Sequence, residues 1–153
     1  MVKLMFNSLV LNNNADIEEI KTPMLNLKDG SGMFQSCTSL KKFESDMPAL
    51  VDGKYMFFGC RNLANFLHID LRSLKDGECM FAICDQLVIF HVDKMPSLEN
   101  GNNIFYNTKL DHFDTDMPKL IRGASMFSDC KHLSTFYSKT PALKNGDSMF
   151  KRM

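Results

Sequence analysis

The dipeptide Met-Phe returns at Met33-Phe34, Met56-Phe57, Met80-Phe81, Met126-Phe127 and Met149-Phe150, and Ile104-Phe105 fills the gap in the series. Successive steps are 23, 24, 24, 22 and 23 residues. A fixed period of this length decides the fold class almost alone, because each unit is one small structural element that can bury its apolar face only against its neighbours.

One unit, Met33 to Tyr55, reads MFQSCTSLKKFESDMPALVDGKY, and its conspicuous residues recur down the chain. Seven places after the first Met stands Leu40, matched by Leu63, Leu87, Leu110 and Leu133. Then comes Phe43, matched by Phe66, Phe90, Phe113 and Phe136. Met47, Leu71, Met95 and Met117 follow, with Thr140 as the exception, and after them Leu50, Leu74, Leu98, Leu120 and Leu143. A weaker copy from Val10 to Gly32 carries Ile17, Ile20, Met24 and Leu27 in the same slots. The chain therefore divides into an N-terminal segment, 1–9, and a single solenoid, 10–153. Its coils are 10–32, 33–55, 56–79, 80–103, 104–125 and 126–148, with a seventh begun at Met149.

A unit of this size carries about six apolar side chains, too few to offset its own ordering entropy. Stacking is the outlet. Phe on Phe and Leu on Leu should then form columns through the molecule, each fully buried side chain contributing about 1.5 to 3 kcal/mol. The stretch L-x-x-F with the D-M-P after it reads as the strand of each coil, so the strands line up as a parallel sheet on one face. The stretch L-x-x-G-x-x-M-F-x-x-C reads as turns and short helical or 3₁₀ backing on the other. A parallel β-helix is the alternative geometry. Gly30, Gly53, Gly77, Gly101, Gly123 and Gly146 mark the corners, preceded by Asp29, Asp52, Asp76, Asn100, Arg122 and Asn145. Asp-Gly and Asn-Gly are tight-turn chemistry, with Gly expected to supply a positive φ. Pro48, Pro96, Pro118 and Pro141 share a slot suited to a strand end.

Composition bounds the partners. At 44% hydrophobic and 24% charged, the chain lies in the globular range. Eighteen basic residues balance eighteen acidic ones, so no global field draws it to nucleic acid or an anionic membrane. No apolar run reaches the roughly 18 residues of a membrane span, and the start lacks the pattern of a signal peptide. This points to synthesis in the cytoplasm, with a virion or a surface assembly as destinations left open. Five cysteines without a C-x-x-C pair indicate neither a zinc site nor a disulfide framework.

The run Gly53-Lys54-Tyr55-Met56-Phe57-Phe58-Gly59-Cys60-Arg61-Asn62-Leu63-Ala64-Asn65-Phe66 resembles the BspA-like leucine-rich repeat, whose core is G-x-x-A-F-x-x-C-x-x-L-x-x-I. Met stands for the small residue and Phe for the aliphatic one. Related surface repeats of bacteria and mycoplasmas prefer Met-Phe at that site, and similar arrays occur in gut bacteriophage proteins. The resemblance runs from about Val10 to Met153, although the stretch from Met47 to Gly53 is shorter than the usual spacing. It implies an interaction surface, as in adhesins of bacteria and parasitic protists, and it carries no catalytic residues, cofactor or metal.

Individual residues add little chemistry. Cys37, Cys60, Cys84 and Cys130 share one slot, occupied elsewhere by Asn14 and Thr108, and read as buried thiols in a ladder; Cys79, out of register, reads as exposed. Asp46, Asp70, Asp93 and Asp116 sit close to the strand end, where a row of carboxylates would need a cation or a basic partner, but Lys94 and Lys139 interrupt it and favour a solvated edge. His68, His91, His112 and His132 fall at different offsets and form no constellation. No nucleophile elbow, phosphate loop or zinc-protease motif occurs, so the chain reads as no enzyme. Lys41, Glu44, Ser45, Asn65, His68, His91, Asp114, Thr115, Thr135 and Tyr137 should face outward and form either a partner face or a merely solvated one. Asn12, Asn13 and Asn14 read as a polar cap, whereas Met149, Phe150 and Met153 open a new unit and should serve self-association or docking. Two functions follow. One is an adhesion or interaction module for a protein or glycan; the other is a structural subunit of a virion or surface assembly.

Overall fold

The computed structural model of the chain describes residues 11, 13, 16–92 and 94–153. The N-terminal segment, Asn12 and Asn14 of the expected cap, and Asp93 lie outside the described residues.

Six short strands follow one another at the expected period: β1 (Glu19–Ile20), β2 (Lys42–Phe43), β3 (Asn65–Leu67), β4 (Ile89–His91), β5 (His112–Asp114) and β6 (Thr135–Tyr137). All pairings are parallel, in the order β1-β2-β3-β4 and, separately, β5-β6. Register is set by the repeat, so that Phe66 lies opposite Phe90 and Phe113 opposite Phe136. The strands are shorter than L-x-x-F with D-M-P, because the chain turns inward soon after the Phe. Met24, Met47 and Met117 then hold the next coil by donating their N–H groups to the carbonyls of Asp46, Asp70 and Lys139. Proline lies past the strand, at the second position of the turns 47–50, 95–98, 117–120 and 140–143, where its fixed φ is already correct.

The opposite face is a ladder of turns, and no helical segment forms among the described residues. In the second coil the N–H of Met33 bonds to the carbonyl of Gly30, and that of Cys37 to Phe34. The third residue of each turn has positive φ, +62° at Gly32 and +57° at Ser36, which makes both type II. The residues between them bond to the next coil instead. Gly30, Gly32, Phe34 and Ser36 donate in turn to Asp52, Lys54, Met56 and Phe58. A helix would spend those donors within its own turn; this backbone exports alternate ones to its neighbour. Strands on one face and stacked turns on the other, the turns joined coil to coil by a second row of parallel bridges through Asp29, Asp52, Asp76, Asn100, Arg122 and Asn145, make a repeat solenoid.

Positive φ was expected at the glycine before each Met-Phe, and there the structure differs. Among the glycines only Gly32 and Gly59 have positive φ. The invariant Gly is required by crowding: a Cβ on Gly77 would sit 2.7 Å from Ile104 Cδ1, and one on Gly53 3.0 Å from Met80 Sδ. The Met or Ile one repeat beyond the adjacent pair, Met80 for Gly53 and Ile104 for Gly77, fills the space that the missing side chain leaves. The residue before it forms the corner. Asp29, Asp52, Asp76, Asn100 and Asn145 each accept, on Oδ1, the N–H two residues ahead. This is why Asp and Asn recur there.

Two phenylalanine columns fill the core. Phe34, Phe57, Phe81, Phe105, Phe127 and Phe150 stack with centroids 5.3 to 5.7 Å apart and rings within 16° of parallel. Phe43, Phe66, Phe90, Phe113 and Phe136 form the second column at 5.7 to 6.1 Å. Each ring meets the other column nearly edge-on, as Phe66 does against Phe81 at 4.8 Å and 70°. Parallel-offset contacts along a column and edge-to-face contacts between columns are the two arrangements that the aromatic quadrupole favours.

Candidate functional site

Alternation around the buried Phe decides what each strand shows to solvent, since neighbours on a strand point to opposite faces. The outward positions before it are Glu19, Lys42, Asn65, Ile89, His112 and Thr135, and those after it include Glu44, Leu67, His91, Asp114 and Tyr137. The inward residue is Phe in all strands but β1, whereas the outward ones change character from coil to coil.

Of the expected partner face, Lys41, Glu44, Asn65, His68, His91, Asp114, Thr135 and Tyr137 are exposed. Ser45 and Thr115 are not. Both are buried, at 0% and 3% exposure, because the chain has already turned inward two residues past the Phe. Their hydroxyls satisfy carbonyls of the preceding coil: Ser45 Oγ donates to Thr22 O at 2.6 Å and Thr115 Oγ1 to Val92 O at 3.3 Å. Ser138 repeats this toward Thr115 O, and the buried Ile69 and Val92 occupy the same inward position in the third and fourth coils.

Three of the four histidines are closer than their sequence offsets suggested. The rings of His68 and His91 meet edge-on at 5.1 Å, and His112 lies along the same groove as both. His112 Nδ1 is 2.7 Å from Thr135 Oγ1, while its Nε2 lies 3.2 Å from Asp111 Oδ2. An extra residue in coil 56–79 brings the first pair together, with His68 taking it up in a left-handed conformation at φ +55°. The groove also contains Leu67, Val88 and Ile89, which are 40%, 40% and 49% exposed. Sequence reasoning missed these three. Leu67 and Ile89 flank Phe66 and Phe90 directly, so the period-2 rule would have placed them outward.

Elsewhere the surface is largely self-neutralised. Glu19 meets Lys21 at 3.0 Å and Lys42 at 3.9 Å, and Glu18 meets Lys41 at 3.1 Å. Along the acidic row, Asp46 Oδ1 accepts the N–H of Asp70 and Asp116 Oδ1 that of Lys139. The Arg72 guanidinium forks onto Asp70 and holds its carboxyl below the usual range. Among the described residues, no three His, Cys, Asp or Glu side chains gather as metal ligands.

The cysteine column is structural. Cys60, Cys84 and Cys130 donate their thiols to the carbonyls of Phe34, Phe57 and Phe105 at 3.0 to 3.1 Å, and burial pushes all three pKa values up. Cys37 does the same toward Leu11 O. Cys79, expected outside, is buried at the rim of the core, where its thiol meets the Tyr55 hydroxyl. At the last coil, Phe136, Phe150 and Met153 are 40%, 42% and 49% exposed, while Met149 is buried against Gly123. No helix among the described residues is long and apolar enough to cross a membrane.

Comparison with known families gives one match. The model of the BspA type leucine rich repeat region matches in six copies, over residues 6–88 and 53–153. No curated protein and no solved structure matches the chain.

Proposed function

Because the chain belongs to the BspA-type leucine-rich repeat family, we propose that it is a non-catalytic interaction or adhesion module, one that presents the outward face of its sheet to a protein or glycan. The carrying observation is the contrast on each strand between a repeated inward Phe and outward neighbours that differ: Lys42, Asn65, Ile89, His112 and Thr135 in successive coils. Packing demands the repetition. It places no such demand on the other side, where variation leaves room for recognition. The residues of this face are Lys41, Glu44, Asn65, His68, His91, Asp114, Thr135 and Tyr137, joined by Leu67 and Ile89.

The exposed ends of both phenylalanine columns favour a second reading, a structural subunit of a virion or surface assembly. Phe136 and Phe150 present ring faces on which a further coil, from the same polypeptide or another copy, would stack as the inner rings do. One pair of variants separates the two. Replacing Asn65, His91 and Tyr137 with Ala should abolish capture on protein and glycan arrays while the sedimentation coefficient stays unchanged. Replacing Phe136 and Phe150 with Ser should do the reverse. If the first variant binds like the parent chain, the interaction reading fails.

A further inference from the structure

The groove across β3, β4 and β5 differs in chemistry from the rest of the exposed sheet, and the difference names an occupant. Leu67, Val88 and Ile89 form an aliphatic floor in the middle of the face, each at least 40% exposed. At one end, β1 and β2 carry charges of both signs that pair with one another. At the other end stand Asp111, with a side chain 49% exposed, and Asp114, also exposed. Among the described residues no Lys or Arg forms an ion pair with either carboxylate. Asp111 accepts from Ser134 Oγ at 2.8 Å and lies 3.2 Å from His112 Nε2. The groove thus joins an apolar centre to an edge of two carboxylates that, among the described residues, have no Lys or Arg within ion-pair distance, with Lys94 and Lys139 lining the adjoining cavity beside Asp114.

We propose that this groove binds an extended protein segment carrying an aliphatic side chain followed, two or three residues later, by Lys or Arg. The inference rests on the interaction reading above and narrows its partner from protein or glycan to protein. The floor of Leu67, Val88 and Ile89 suits an aliphatic anchor, which would displace water from it and gain the burial that drives association, whereas the flat rings beside it are already engaged, His68 with His91 and His112 with Thr135. The cation is placed by charge, since the acidic side of the groove lies next to the floor. Ile89 on β4 and Asp114 on β5 belong to successive coils, whose Phe90 and Phe113 rings lie 6.1 Å apart, and β3 pairs with β4 about 5 Å further on. An extended chain advances about 3.3 Å per residue, which sets the interval. His68 and His91 line the path, their rings edge-on at 5.1 Å.

The test is to pan a random twelve-residue peptide display library on the whole chain, with glycan-array binding of the same preparation as the second arm. Enriched peptides should contain an aliphatic residue with Lys or Arg two or three places on, and Ile89→Ser should weaken them at least tenfold. Asp114→Lys should weaken them similarly, and replacing the peptide's cation with Glu should restore binding to that variant. This rescue cannot come from a misfolded protein. Enrichment of peptides without the pattern, or binding indifferent to both substitutions, overturns the proposal. Glycan capture that the sheet-face variant abolishes, with no peptide enriched, overturns it too while leaving the broader interaction reading standing.

Discussion

At the residue scale, the most constrained position is one whose side chain is absent. From Gly30 to Gly123 the corner glycines are required by the Met or Ile one repeat beyond the pair that follows them, and not by their own dihedral angles. Gly77 and Gly146 therefore predict opposite outcomes for one substitution. In Gly77→Ala the new methyl meets Ile104 Cδ1 at 2.7 Å, in a core where Ile104 is fully buried. Overpacking of this kind costs about 1 to 3 kcal/mol. In Gly146→Ala the nearest atom is at 3.4 Å and the position is exposed, so stability should change by less than about 0.5 kcal/mol. Urea denaturation of the two variants against the parent chain measures both. Equal losses would return the explanation to backbone conformation.

At the element scale, pairing follows one short interval, the number of residues from the strand Phe to the Met slot. It is four in the first, second, fifth and sixth coils, as in Phe43 to Met47 and Phe113 to Met117, and five in the third and fourth, Phe66 to Leu71 and Phe90 to Met95. Where adjacent intervals match, the strands pair over two or three residues, as β1 does with β2, β3 with β4 and β5 with β6. Where they differ, β2 and β3 pair at Lys42 and Asn65 alone, and β4 and β5 form no ladder. There Asp111 N reaches Val88 O at 3.3 Å, against 2.9 Å for Val88 N to Ala64 O one coil earlier. Inserting one Val between Asp114 and Thr115 should move the break one coil along. Hydrogen exchange would then slow at the Asp111 and His112 amides and quicken at Ser134 and Thr135. Unchanged exchange at both pairs would show that the interval does not control the register. The sequence made the columns and the coil order legible, because Phe and Leu recur at a period that only stacking explains. The break was less so: the steps of 24 and 22 residues were visible, but their meaning depends on where within a coil a residue is gained or lost. Ser45 and Thr115 were misplaced because they vary from coil to coil and are polar, although alternation from the inward Phe43 and Phe113 puts the residue two places on inward as well. The turn ladder was hidden because positive φ falls on residues as unlike as Tyr55, Cys79 and Ile83, where nothing in the side chain announces it.

At the scale of the whole molecule, the two columns make the solenoid a one-dimensional object, in which each coil is held by the coils before and after it. Stability is then close to a sum of coil terms and nearest-neighbour interface terms, so the position of a defect matters as much as its size. Phe81 shows this most plainly. It stacks on Phe57 and Phe105 and meets Phe66 and Phe90 edge-on, so Phe81→Ala removes four ring contacts from the middle of the array. A loss of about 3 to 5 kcal/mol follows from the cavity and the lost burial. Phe150→Ala removes two such contacts, from a ring already 42% exposed, and should cost less than about 2 kcal/mol. The shapes of the transitions should differ too. The central defect weakens the interfaces on both sides of the fourth coil, next to the place where the sheet is already divided between β4 and β5. Phe81→Ala should therefore unfold in two steps, with the near-ultraviolet signal of Tyr137 lost at a different urea concentration from that of Tyr55. Phe150→Ala should keep a single transition at a slightly lower midpoint. A single, coincident transition in both variants would mean that coupling extends well beyond neighbouring coils, and the solenoid would have to be treated as one cooperative core.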